Sequence, residues 1–154
     1  MENGSYTEYF YDRPTELEHR LFKSEVGDNT GQQTWEALIL LIALRLWAPR
    51  WKNKRVRLAV RSDSVTALTA ILKMNSPSTN TSIIAREIAL DVGDSVYRPT
   101  VVQHLPGVSN TIADALSRVF APDAAGGVPE TLRACTLRQA PARPVGWWRA
   151  LSPP

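Results

Sequence analysis

The 154 residues carry 18 Lys and Arg against 15 Asp and Glu, with 44% hydrophobic and 21% charged residues, proportions of a globular chain rather than a disordered one. No apolar run approaches the roughly 18 residues of a membrane helix, and Met1-Glu2-Asn3-Gly4 lacks the basic and apolar segments of a secretory signal. An intracellular protein without a membrane partner is expected, nucleus and cytoplasm not being distinguished. One cysteine, Cys135, and two histidines exclude an internal disulfide framework and a Cys- or imidazole-based metal cluster, so any metal must rest on oxygen ligands.

Asn3-Gly4 is a strong hairpin signal, and the alternating, aromatic-rich stretch Ser5 to Tyr11 after it reads as a strand. Arg13-Pro14 ends it, Leu17 to Glu25 reads as a second short strand or turn, and residues 27–31 form a loop. From Thr34 to Trp47 the chain is apolar almost all round, which predicts a buried helix of about 14 residues stopping before Ala48-Pro49. Glu36 is its only acid.

Arg55 to Arg61 alternates, with Val56, Leu58 and Val60 on one face, and predicts a strand running into Ser62-Asp63-Ser64. Ser64 is placed to cap a helix carrying Ala67, Leu68, Ile71 and Leu72, which Asn75-Ser76-Pro77-Ser78 closes. Ile83, Ile84, Ile88 and Val92 define another helix as far as Gly93, and Pro99 to His104 reads as a strand. Asn110 is placed to cap a helix from Thr111 to Phe120, with Ile112, Leu116 and Val119 facing inward. This order of elements predicts an α/β fold with a mixed sheet. The domain is expected to span residues 1–120. Residues 121–154, rich in Pro and Arg and without sustained period, are expected to be a flexible tail despite Trp147-Trp148.

Charge is unevenly spread. Residues 1–34 hold seven acids and three bases, whereas Arg45 to Arg61 holds seven bases and no acid. Within that basic stretch Arg50, Lys52, Lys54 and Arg55 are candidate phosphate contacts, with Arg45, Arg57 and Arg61 further members and Trp47 and Trp51 available for stacking. A solvated loop beside an outward strand face, with both tryptophans closing the core, accounts for the same residues.

Three acids stand in unusual contexts: Glu36 in an apolar helix, Asp63 at a strand end, and Asp114 on the last helix. Singly, each has an ordinary explanation: a first-turn acid, a helix cap, and an i,i+4 partner of Arg118. Together with the block from His104 to Arg118 they say more. His104-Leu105-Pro106-Gly107, Asn110, Ala113-Asp114 and Leu116-Ser117-Arg118 match an H-x-P-G-x-x-N-x-x-A-D-x-L-S-R pattern. This block resembles the end of the ribonuclease H domain in retroelement reverse transcriptases, of the LTR/DIRS-like kind, and the likeness covers about residues 3 to 120.

The resemblance implies a ribonuclease H-like fold and cleavage of the RNA strand of RNA–DNA hybrids during reverse transcription, by two-metal hydrolysis with Mg2+. Glu36, Asp63 and Asp114 would be the catalytic carboxylates and metal ligands. An RNA–DNA hybrid and an upstream reverse transcriptase domain of a parent polyprotein would be the partners. The family's first Asp, on a central first strand, has no counterpart: Asp12 lies too close to Glu36 for the intervening strand meander and precedes Arg13-Pro14. The expectation is therefore an amino-truncated, impaired enzyme beginning at the turn after that strand. His104 is read as a strand-end structural residue rather than the mobile-loop histidine of some relatives. A non-catalytic nucleic-acid-binding module and a decayed gene fragment without function are the alternatives.

Overall fold

The computed structural model describes residues 6–23, 31–73, 79–95, 97–104, 110–122 and 127–151. The expected turns at Asn3-Gly4 and residues 75–78, most of the loop at 27–31, and Leu105 to Ser109 of the motif block lie outside them. The chain is α/β and divides into two compact units, Pro14–His104 with Pro141–Pro154, and Met1–Arg13 with Leu105–Ala140. This division cuts across the expected boundary at residue 120, because residues 141–151 pack within the larger unit.

The larger unit opens with α1 (Glu16–Phe22), where a strand or turn was expected. The reason is local. The Thr15 hydroxyl accepts from the Glu18 N–H at 3.2 Å, and the Glu18 carboxylate accepts from the Thr15 N–H at 2.7 Å, a reciprocal capping box. Helix α2 (Gln32–Trp51) runs past the expected stop and contains Pro49. A proline there removes only one backbone bond near the end of the helix. The last turn is held by the Lys52 N–H donating to Ala48 at 2.7 Å and by Trp51 packing edge-on against Tyr97, 5.9 Å between centroids.

Strands β2 (Arg57–Ser62) and β3 (Arg98–His104) pair in parallel, joined through α3 (Val65–Leu72) and α4 (Thr79–Gly93). Along β2 the side chains alternate exposed and half-buried, as the period of two predicts, with Leu58 and Val60 inward. The register is shifted between Val60 and Arg61, so that Val60 faces Val101 but Arg61 faces Gln103. Helix α2 packs on α4 and α3, and Ala37, Leu38, Leu41, Ile42, Leu44, Leu68, Ile71, Ile84 and Ile88 are buried. Burial of a Leu or Ile side chain is worth about 1.5–3 kcal/mol, so these helix faces hold the unit together.

Residues 141–151, within the segment expected to be a flexible tail, complete this core. Trp148 is fully buried, with its ring 5.7 Å from Phe22 at 69°, and Phe22 meets Trp35 at 5.8 Å. Arg143 closes on Glu18 with both side chains out of solvent. Eight prolines after residue 98 suppress periodicity without preventing burial.

In the smaller unit, β1 (Glu8–Tyr9) is much shorter than the expected strand and pairs in parallel with β4 (Thr136–Leu137). Both described strand pairs are parallel, so the mixed directions expected are not found among the described residues. Tyr11 packs edge-on against Phe120 at 5.5 Å, and the Arg13 guanidinium lies 4.1 Å from the centre of the Phe120 ring. Helix α5 (Thr111–Ser117) begins after Asn110, whose side chain makes no cap hydrogen bond, and its Ile112 and Leu116 are half-buried. Among the described residues no helix is long and apolar enough to cross a membrane.

Candidate functional site

Glu36 sits in the second turn of α2, beyond the first turn where a helix dipole would favour it. One carboxylate oxygen accepts from the Gln32 amide at 3.1 Å. The other, Oε2, is buried and accepts no hydrogen bond from a described group. A buried oxygen of that kind calls for a donor or a cation.

Asp63 lies immediately beyond β2 and is exposed, with the Ser62 hydroxyl at 3.4 Å. It does not cap α3. Ser64 occupies the cap position without a side-chain bond, and its own N–H donates to the Ser62 hydroxyl at 3.0 Å. Asp114 lies in α5 and is paired with Arg118 four residues on, its Oδ1 3.1 Å from Nη2, the surface pair expected as its ordinary role.

Glu36 and Asp63 thus belong to the larger unit and Asp114 to the smaller. Carboxylate donors suit Mg2+, and the bare Oε2 of Glu36 suits a cation. Among the described residues, however, no group of three or more His, Cys, Asp or Glu side chains is placed to hold a metal ion.

The basic residues fare differently. Arg50, Lys52, Lys54 and Arg55 follow one another from the end of α2 through a turn to the start of β2, and all four are exposed. Asn53, with φ of 69°, makes the left-handed step in that turn, a conformation Asn tolerates better than most residues. Arg45 is no phosphate contact. Its guanidinium donates to Asp91 at 2.6 Å, to Glu87 at 2.5 Å and to the Trp147 carbonyl at 2.7 Å, and stacks 4.3 Å from the Trp147 ring centre. Burial alone would lower its pKa, but the bonds and charges of Asp91 and Glu87 outweigh that and hold it above the ordinary value.

Arg149 joins the same network, donating to Asp91 at 3.1 Å and Asp94 at 2.8 Å, while backbone N–H groups of Arg149 and Ala150 cap the Glu87 carboxylate. The Asp91 and Asp94 bonds raise the Arg149 pKa. Arg45 of α2 and Arg149 of the last segment thus tie that segment to α4. Trp47 and Trp51 are half-buried, in keeping with the core-closing role.

Sequence reasoning missed Arg98. It stands in register opposite Arg57, and both are exposed. Only strand register reveals the pairing, since 41 positions of chain separate the two, the difference of their residue numbers.

Comparison with known proteins adds no relative. No family model matches the chain, and neither a curated protein nor a solved structure matches it.

Proposed function

We propose that this chain derives from a retroelement ribonuclease H, with an RNA–DNA hybrid as its substrate class. The observation that carries the reading is the motif block from His104 to Arg118, preceded in order by Glu36 and Asp63. The coarse architecture is compatible: an acid on the long apolar helix, an acid directly after β2, and an acid on the helix that follows β3. The resemblance would make Glu36, Asp63 and Asp114 the magnesium ligands, of which Glu36 and Asp63 belong to one unit. Bound there, the metal would supply an activated water and neutralise charge on the phosphodiester. Glu36 Oε2 accepts no hydrogen bond from a described group and Asp63 meets only the Ser62 hydroxyl, whereas Asp114 would have to release Arg118.

Hydrolysis of a labelled hybrid in Mg2+ tests this, using the full chain and the chain carrying a fused amino-terminal strand that bears an Asp. Cleavage by at least one form, abolished by Asp63→Asn, is the expected result. A folded protein that cleaves in neither form, or whose cleavage survives Asp63→Asn, overturns the reading. A second reading, a nucleic-acid-binding module without catalysis, is favoured by one observation: the Asp114 carboxylate is occupied by Arg118. It predicts hybrid binding that is indifferent to Mg2+ and to Asp63→Asn.

A further inference from the structure

The exposed face of the β2–β3 pair carries arginines that the carboxylate chemistry leaves unused. Arg57 of β2 lies opposite Arg98 of β3, Arg55 precedes Arg57 by one period of the strand, and Arg61 follows beyond Ala59. All four are exposed, and among the described residues none makes an ion pair. The nearest acid along β2 is Asp63, past its carboxyl end. An open groove of ≈ 460 Å³ is lined by Arg55, Val56, Arg57, Arg98 and Thr100.

Like charges opposite one another oppose strand pairing, so this cluster does not serve the sheet. A ligand with its own regular row of negative charges would balance it. Alternate strand residues stand about 6.6 Å apart, which makes the row from Arg55 to Arg61 about 20 Å long. A nucleic-acid strand offers one phosphate per about 3.4 Å of axis, so five or six phosphates fall within reach of that row. Each guanidinium fork can give two parallel N–H bonds to one phosphate. Among the described residues the groove has no aromatic lining on which a base would stack, which favours contact with the backbone rather than the bases.

We infer that this face binds the phosphodiester backbone of a nucleic-acid strand, without sequence preference, through Arg55, Arg57, Arg61 and Arg98. It shares a partner class with the reading above but does not rest on Glu36, Asp63 or Asp114. It also moves the contact surface from the α2–β2 turn onto the sheet.

Binding of labelled single strands of about 12 nucleotides, measured by anisotropy in EDTA across a salt series with the full chain, tests it. Four phosphate contacts should give a log–log slope of affinity on salt near −2.8, at about 0.7 per contact. Arg57→Gln with Arg98→Gln should halve that slope and weaken binding by about tenfold or more. Arg20→Gln with Arg86→Gln makes the same charge change on exposed residues of α1 and α4, and should leave binding within about twofold. Melting curves of both double variants confirm that each is folded.

No binding at low salt, equal losses in the two double variants, or displacement by polyglutamate as effective as by unlabelled strand each overturns the inference. The last outcome assigns the face to an acidic peptide. Binding in EDTA without cleavage in Mg2+ removes only the hydrolytic reading. Cleavage with a slope unaltered by the Arg57 and Arg98 changes removes only this one.

Discussion

Arg143 donates to Glu18 across 125 positions of sequence, from its Nε to Oε1 at 2.5 Å, with both side chains almost wholly out of solvent. Glu18 is also the acid of the α1 capping box, so one carboxylate starts a helix and fastens the last segment of the chain. Removing one member of a buried pair strands the other's charge, at a cost of about 3–5 kcal/mol. Arg143→Met should therefore lower unfolding free energy by about 3 kcal/mol in urea. Glu18→Gln keeps a capping acceptor without the charge. Combined with Arg143→Met it should recover at least about 1 kcal/mol, a coupling that a double-mutant cycle reads directly. Additive losses would show that the two groups do not interact.

Trp148 is the second anchor of the same segment. It is fully buried and packs edge-on against the rings of Phe22 and Trp147, 5.7 and 5.0 Å away. Trp148→Ala should cost about 3–5 kcal/mol, the usual penalty for emptying a buried aromatic site. Ending the chain after Ala140 should cost at least as much, because Arg143 is lost with it. A truncated protein with an unchanged urea midpoint would mean that residues 141–154 do not contribute to the core.

These two anchors mark where the sequence stops being legible. Strands β2 and β3 and helices α3 and α4 follow from period alone, because alternation at Val56, Leu58 and Val60 and the spacing of Ile84 and Ile88 are local signals. The α1 capping box was equally local, Thr15 followed by Glu18, and is a signal that sequence reasoning can use. Pro49 predicts a stop, but packing of Trp51 on Tyr97 carries α2 past it. Docking of residues 141–151 had no local sign. It depends on single long-range partners, Arg143 with Glu18 and Arg45 with the Trp147 carbonyl, and these carry no period. Among the candidate site residues, sequence located the acids and the exposed bases, but register alone set Arg98 beside Arg57.

That register has a cost to folding that can be measured. Arg57 and Arg98 are opposed on a solvent-facing surface, and like charges so placed weaken strand pairing by a few tenths of a kcal/mol. Arg57→Gln should raise the melting temperature by about 1–2 °C at low ionic strength. The gain should vanish near 1 M salt, where screening acts over about 3 Å. A gain independent of salt would trace to side-chain propensity instead, and no gain at all would mean that the two charges do not meet. The same substitution is expected to weaken nucleic-acid binding, so stability and binding should move in opposite directions.

Tyr97 supplies a pH signature for the larger unit. Its burial, and then the charge of Asp91, push the phenol above its ordinary value of 10.0, while Trp51, Ser95 and Arg45 pull weakly the other way. A group whose folded pKa exceeds its unfolded value stabilises fully below the unfolded value and loses that contribution as pH rises through the folded one. Stability should thus hold up to about pH 10 and fall beyond it, as the unfolded chain ionises Tyr97 more readily than the folded chain. Arg45, also raised, remains charged throughout this window. Tyr97→Phe removes the ionising group but keeps the ring that packs on Trp51. Urea unfolding at a series of alkaline pH values should show a shallower decline for the variant than for the parent chain. Parallel declines would place the alkaline sensitivity on other groups and show that the Tyr97 hydroxyl is not held away from water.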